Sequence, residues 1–513
     1  MNIKNLTLSQ KIGQMLCFAF HGTDYNDHLK TLINELEIGG VIYFGRNIGP
    51  LPVIHQTNLS IQSDAKIPLF IGLDQEGGAV LRITDGITPF PGAMSLAASG
   101  VDSTKLVRSV GEDLVNLGFN MVFAPVGDVN NNPLNPVINS RSYSDDPKVV
   151  SRYASYAFKG FQEAKILPTI KHFPGHGDTS VDSHLSLPKV SKTKEEVEKI
   201  ELVPFQDAID NGIDGVMMSH ILYESFDNKY PASLSYEIIT NLLRKKMGFN
   251  GLVVTDSLTM GAIHTKYTNR EIVRYAANAG VDLLIFCGKA TLEEQREIKK
   301  VFIEEVENGN ISIERIDESV QRILDYKAKY YHSNISLDEI EKKDHSEIIK
   351  VSEAAITLVK DDGKLPIKQD EKVLIVFPNI KTPGLQKHQI NNKSLVLENI
   401  VDNVDYSTLG KYMKQDEVIL RADEALDIDC EKYDKIVFVT YNVQKDDYQV
   451  QFFNKLDKEK TIVVSLRSPY DINHLFGLKS YICAYEPTDL AVRNVKKALM
   501  GEIEFLGKIP VKL

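Results

Sequence analysis

Short apolar runs recur along the first two thirds of the chain, and between them lie stretches whose apolar residues return at helical spacing. The strand candidates are, in order, GGVIYF (39–44), PLFIGLD (68–74), NMVFAPVGD (120–128), LPTIKHF (167–173), GVMMSHI (215–221), GLVVTD (251–256) and VDLLIFCG (281–288). Helical patterns such as KLVRSVGEDLVNLG and NREIVRYAANAG separate them, and T-K-E-E at 193–196 reads as a capping box opening another helix. Repeated strand–helix units imply a parallel sheet with helices outside it. Seven or eight such units in residues 1–335 predict an α/β fold of the (β/α)8 TIM-like barrel type. A doubly wound open sheet is the competing architecture, weakened because no glycine-rich dinucleotide fingerprint follows the first strand.

The polar stretch HSNISLDEIEKKDHSEII (332–349) breaks the pattern, and residues 336–351 are assigned as a linker or surface helix. The remainder, 352–513, contains strand candidates KVLIVFPN (372–379), DKIVFVTYN (434–442), KTIVVSLRSP (460–469) and SYICAYEP (480–487), with helices between. It reads as a smaller three-layer α/β sandwich domain that ends in an edge strand, GKIPVKL. A length of 513 residues suits two domains.

Composition narrows the function by exclusion. Hydrophobic residues make up 43% and charged residues 25%, as in ordinary globular chains. A net charge of −11 argues against a nucleic-acid partner and against adhesion to anionic membranes. No apolar run long enough to span a bilayer occurs, and no apolar core follows the first lysines as a secretory signal requires. The four cysteines, Cys17, Cys287, Cys430 and Cys483, are far apart and form no C-x-x-C pair. A disulfide framework or zinc site is therefore not expected, and a reducing, cytoplasmic setting is.

A barrel of this type carries its active site at the carboxyl ends of its strands. Five of the strand candidates end in polar, reactive residues: Asp74, Asp128, Lys171 with His172, His220, and Asp256. Any one alone could be a helix cap or a solvated loop residue. The densest block is KHFPGHGDTSVDSH (171–184), with three histidines, a lysine and two aspartates in a segment that Pro174, Gly175 and Gly177 keep from being a regular helix. Histidine and aspartate are metal ligands, but Lys171 beside His172 opposes a cation and no helical i, i+4 spacing is available in this irregular segment to aim the ligands. The other reading is acid/base chemistry. Histidine gives and takes a proton near neutrality, and Asp182, two residues before His184, is spaced to orient that ring. His172 and His176 read as structural or substrate-positioning residues.

KHFPGHGDTSVDSH closely resembles the signature of glycoside hydrolase family 3 β-N-acetylglucosaminidases. DQEGGAVLR (74–82), NSRSYSDDP (139–147) and GLVVTDSLTMGAI (251–263) resemble further blocks of that family in the same order, and EAAITLVKDDGKLPI and GEIEFLGKIPV extend the resemblance to the second domain. The resemblance implies a retaining double displacement. Asp256 is then the nucleophile, His184 the acid/base and Asp182 its support. Asp74, Arg82, Arg141, Lys171 and His172 hold the terminal sugar, Asp128 braces the site, and His220 lines it or is a buried strand-end histidine. Read singly, Arg82 and Arg141 would be surface ion pairs and Asp256 a helix cap. Family 3 β-glucosidases generally take their acid/base glutamate from the second domain and lack the GHG…DSH loop that this chain has. No cofactor and no metal is expected. The implied substrate is a small carbohydrate, an N-acetylglucosaminide of the kind released in peptidoglycan recycling. Alternatives are a phosphorylase, because histidine does not repel phosphate, a β-glucosidase or β-xylosidase, and a non-catalytic sugar-binding scaffold.

Overall fold

The computed structural model describes residues 3–179, 187–288, 291–378 and 428–513, and the backbone of 416–420. Its first part is an eight-stranded parallel sheet: β1 Leu16–Ala19, β2 Gly40–Tyr43, β3 Phe70–Leu73, β4 Met121–Val122, β5 Leu167–Phe173, β6 Gly215–Met218, β7 Leu252–Thr255 and β8 Leu284–Phe286. The strands are ordered in space as in sequence, with β8 paired to β1. The ring closes between β7 and β8 through the parallel bridge of Val254 with Leu283. This is the predicted barrel and not an open sheet.

The amphipathic stretches form the outer helices with the expected start signals. Thr193 and Glu196 make the reciprocal capping box, and Thr268 with Glu271 makes another. Gly280 ends the helix Asn269–Ala279 at φ 109°, a left-handed conformation that favours glycine. The barrel strand candidates are right in place; LPTIKHF matches β5 residue for residue, and the others are too long, since backbone pairing stops where the loops begin. One barrel strand escaped the pattern. Leu16–Ala19 lies in MLCFAF, one residue after the helix Leu8–Gln14, so its apolar residues merge with those of the helix. Every residue of β1 is buried.

The barrel's weakest seam, β7 to β8, is fastened from the side. Asp282 is fully buried, accepts from the Val253 amide at 2.9 Å and from Arg244 at 2.7 Å, and pairs with Arg322 at 2.5 Å. Burial alone would raise this carboxyl, but Arg244, Arg322 and Arg315 outweigh it and hold it below the usual range.

The second part is a six-stranded sheet of β9 Thr357–Lys360, β10 Val373–Pro378, β11 Asp416–Leu420, β12 Lys435–Thr440, β13 Thr461–Ser465 and β14 Ser480–Cys483. Its order is β9-β14-β13-β12-β10-β11, all parallel except β9. Apolar clusters lie on both of its faces, as a three-layer sandwich requires. In the stretch read as a linker, the helices Asp338–Glu341 and Ser346–Ala355 form. The expected edge strand GKIPVKL is not a strand: residues 503–513 contain no helix or strand and run as a strap onto the barrel. The Lys508 amide donates to the Ala98 carbonyl at 3.0 Å, the Lys512 amide to Asp145 at 3.0 Å, and Ser144 to the Pro510 carbonyl. Those backbone groups meet the barrel instead of a sheet neighbour, which is why the alternating pattern misled.

The two parts also meet at Glu486, three residues beyond β14, whose carboxylate accepts from the Gly92 amide and from Thr488 Oγ1 at 3.1 Å. Glu486 is 1% exposed, and burial pushes its carboxyl up to about 7. Such a carboxyl holds its proton in the fold more tightly than in the unfolded chain. Its contribution to stability is present in full below about pH 4.5 and is lost as the pH rises through 7. Glu486→Gln is therefore expected to gain on the wild type by on the order of 2 kcal/mol between pH 4.5 and 7.5. Thermal melts of both proteins across that range check this, and parallel pH profiles would contradict it.

Candidate active site

All eight parallel strands point their carboxyl ends to one rim, and the reactive residues gather there. Asp74 follows the last residue of β3, Lys171 and His172 lie within β5, His220 stands two residues beyond β6, and Asp256 directly follows β7. Asp128 reaches the same rim through the bridge of Val126 with Lys171 and the bond from the Gly127 amide to the Lys171 carbonyl at 2.6 Å.

A chain of ion pairs joins them. Asp74 binds Arg82 through one carboxylate oxygen and Lys171 through the other, each at 2.7 Å. Lys171 also pairs with Glu76 at 2.5 Å. Glu76 in turn takes Arg141 in a fork, from Nε and Nη2, both at 2.8 Å. Lys171 and Glu76 have side chains only 2% and 4% exposed, whereas that of Asp74 is 17% exposed. Asp74 is thus the member that faces an incoming ligand. Burial would raise both carboxyls, but Lys171 and Arg82 hold Asp74, and Arg141 and Lys171 hold Glu76, below the usual carboxylate range. Burial likewise opposes the charge on Lys171, and Asp74 and Glu76 overcome it and raise the ammonium.

Two histidines are fixed by one carboxylate. Asp128 is fully buried and takes His172 Nδ1 at 2.7 Å, the His172 amide at 3.1 Å and the His176 amide at 2.7 Å. With Nδ1 on the aspartate, His172 presents its other nitrogen, Nε2, as the ring atom turned away from that carboxylate. His176 is 3% exposed and bonds Thr179 Oγ1 at 2.9 Å, and burial with the neighbouring His172 lowers it to about 4. It is a neutral, structural imidazole at physiological pH. His220 Nδ1 meets Ser233 Oγ at 2.7 Å and Nε2 donates to the Ser257 carbonyl at 2.8 Å, so this histidine braces the residue that follows Asp256.

Asp256 is partly exposed. Its amide donates to the Met218 carbonyl at 3.0 Å, and its Oδ1 accepts from the Ser257 amide at 2.7 Å. Cys287, just past β8, reports its closeness to the cluster: burial first, and then the charges of Asp256 and Asp74, push that thiol up to about 12. Arg46 and Arg82 both lie over the Phe44 ring, at 4.7 and 5.5 Å, and complete the wall on the β2 side. Asp182 and His184 lie outside the described residues. Among the described residues, no three His, Cys, Asp or Glu side chains are arranged to hold a metal ion.

The geometry therefore gathers Asp74, Arg82, Arg141, Lys171 and His172 into one rim with Asp256. It also adds Glu76, which sequence reading did not single out. A carboxylate two residues past Asp74, on a strand end rich in basic partners, was the available signal. The rim presents carboxylate lone pairs, an ammonium and guanidinium forks in one place, the donor and acceptor set that recognises a polyhydroxylated ligand. The second domain contacts it through Tyr470, whose hydroxyl accepts from Asn130 at 3.1 Å, and Ser468, which accepts from Asn139 at 3.0 Å.

Removing Glu76 leaves two buried cations facing each other. Breaking a buried pair in this way typically costs about 3–5 kcal/mol. Glu76→Gln is expected to lose stability on that order, and Glu76→Asp to recover part of it, as measured by denaturation midpoints. A loss below about 0.5 kcal/mol for Glu76→Gln, the range of ordinary surface changes, would contradict the network.

Comparison with known proteins adds four findings. The model of the glycosyl hydrolase family 3 N-terminal domain matches residues 7–326. The chain is 31% identical to a β-hexosaminidase A of Pseudoalteromonas piscicida, over 98% of this chain and 95% of that one. It is 26% identical to a β-N-acetylglucosaminidase/β-glucosidase of Cellulomonas fimi, over 98% and 93%. Among solved structures, a glycoside hydrolase family 3 β-N-acetylglucosaminidase from Paenibacillus sp. str. FPU-7 superposes with a TM-score of 0.88 at 34% identity, covering 99% of both chains.

Proposed function

The chain belongs to glycosyl hydrolase family 3 and is a glycoside hydrolase of the β-hexosaminidase kind, and on that premise we propose that it is a retaining, exo-acting β-N-acetylhexosaminidase. Its substrates are then peptidoglycan fragments bearing a terminal β-linked N-acetylglucosamine, such as GlcNAc–MurNAc and muropeptides. The observation that carries the reading is the position of Asp256: a partly exposed carboxylate at a barrel strand end, fixed by backbone bonds beside a buried cluster of sugar-binding charges. Among the described residues no helix is long and apolar enough to cross a membrane, and we assign the protein to the cytoplasm, where such imported fragments are degraded.

In this mechanism the Asp256 carboxylate attacks the anomeric carbon as the bond to the leaving oxygen breaks. His184 delivers a proton to that oxygen, so it departs as a hydroxyl and not as an alkoxide. The product of this step is an ester between Asp256 and the sugar, of inverted configuration. His184, now neutral, takes a proton from water, which attacks the same carbon, releases Asp256 and restores the β configuration. Asp182 orients the His184 ring and supports its cation. Retaining glycosidases usually pair two carboxylates, and here an imidazole takes the place of one.

The charge cluster supplies the binding part. Asp74 uses two lone-pair directions on Arg82 and Lys171 and turns its exposed side to the sugar hydroxyls. Lys171, Arg141 and His172 donate to the sugar's oxygen atoms and to its acetamide. Because the cations are already paired with Asp74 and Glu76, they are held in place before substrate arrives.

A slow 2-acetamido-5-fluoro glycosyl donor is expected to label the protein with one sugar, and peptide mapping to locate the label on Asp256. Label on another residue, or an enzyme that turns over without a trapped ester while Asp256→Asn keeps its rate, would overturn the assignment.

A further inference from the structure

The second domain brings to the rim a positive charge that the sugar-binding cluster does not use. β12, β13 and β14 end toward the barrel: Ser468 and Tyr470, just past β13, bond Asn139 and Asn130, and Glu486, past β14, bonds Gly92. In parallel α/β sheets ligands bind beyond the carboxyl strand ends, where the strand order reverses. Here the chain passes from β10 outward to β11 and then back across to β12, so the reversal lies between β10 and β12. Tyr441 is the first residue past β12, and Arg467 the second past β13.

Arg467 is 3% exposed, and among the described residues no carboxylate balances its charge. Its Nη1 donates to Tyr441 Oη at 3.1 Å, and its guanidinium lies over the Tyr441 ring at 5.6 Å. Its Nε is buried without a hydrogen-bond partner, and among the described residues no carboxylate pairs with it. Every other buried arginine of the rim has one: Arg82 has Asp74, and Arg141 has Glu76. A buried charge is costly unless paired, so an unpaired guanidinium at a site entrance marks the place of an incoming anion. Two neighbouring polar atoms, Asn139 Oδ1 and Ser140 Oγ, are also buried without partners. They precede Arg141 directly, on the loop that Ser468 touches.

We propose that Arg467 receives an oxyanion on the leaving-group side of the cleaved bond, its planar fork pairing with a carboxylate on the departing sugar or with an inorganic phosphate ion that takes its place. This rests on the hexosaminidase reading above for what is cleaved, and on Arg467 alone for the anion. The terminal sugar itself is neutral and its contacts are met by Asp74, Lys171 and Arg141. The charge on Arg467 therefore selects for what lies beyond that sugar.

The test compares Arg467→Gln and Arg467→Lys with the wild type on two disaccharides, GlcNAc–MurNAc and its lactyl methyl ester, each in phosphate-free and phosphate buffer. For Arg467→Gln the ratio of kcat/KM for the acid over the ester is expected to fall ~10–100-fold, mainly through KM, as loss of a charged hydrogen-bond partner does. Arg467→Lys should recover part of that ratio. A loss confined to phosphate-dependent formation of glycosyl phosphate would identify the anion as phosphate. Equal losses on acid and ester, or no loss on either in both buffers, would overturn the proposal. If the wild type cleaves neither disaccharide, it is the hexosaminidase reading that fails. The anion point is then decided by calorimetric titration of N-acetylmuramate and of inorganic phosphate. Binding at least tenfold weaker in Arg467→Gln sustains it, and no binding or equal binding overturns it. Unchanged melting temperatures of both variants exclude a merely structural effect.

Discussion

The site depends on the buried chain of charges Arg82–Asp74–Lys171–Glu76–Arg141. None of these groups is tolerable alone at such depth, because taking one charge out of water costs several kcal/mol. Each is held by its neighbours, and together they come from three pieces of chain: the turn after β3, strand β5, and the loop before Pro147. The network therefore fixes three segments relative to one another and settles the direction of every donor before a ligand arrives. Burial works against Asp74, Glu76, Lys171 and Arg141 and the pairing outweighs it, so these carboxylates and cations stay ionised at physiological pH. Such a rim recognises hydroxyl and amide groups without rearranging, the form of preorganisation on which catalysis by positioning relies.

The rest of the molecule supports those segments. Asp128 ties the β4 loop to the β5 strand end through His172 and His176, and His220 ties β6 to the residue after Asp256. The second domain acts on the same loops from above. Tyr470 and Ser468 hold Asn130 and Asn139, Glu486 holds Gly92, and the final strap holds Ser144 and Asp145. Its contribution is positional for the barrel loops and, through Arg467, chemical for what lies next to the terminal sugar.

Much of this was legible in the amino-acid sequence, for identifiable reasons. Parallel strands buried on both faces are continuous apolar runs, so seven of the eight barrel strands stood out, together with the polar residues that end them. β1 did not, because four apolar residues directly after a helix have no period of their own. The end of the strap, GKIPVKL (507–513), reads as a strand because alternation in a short segment describes an extended chain, and whether it joins a sheet depends on a partner that the sequence does not show. Glu76 was overlooked because its role comes from Arg141 and Lys171, which are 65 and 95 positions away and meet it only in the folded rim. Arg467 could not be told from a surface arginine, since its meaning lies in its burial and in the lack of a paired carboxylate among the described residues.

In the proposed mechanism Asp256, presented beside this rim, carries the sugar as an ester between two inversions. The stereochemistry of the first-formed product addresses it most directly. Proton NMR of an aryl N-acetyl-β-glucosaminide during the first minutes of turnover should show the β anomer of free N-acetylglucosamine appearing first, with the α anomer growing in only at the rate of mutarotation. An α anomer formed first would mean a single inversion by water, and would contradict the nucleophilic role of Asp256.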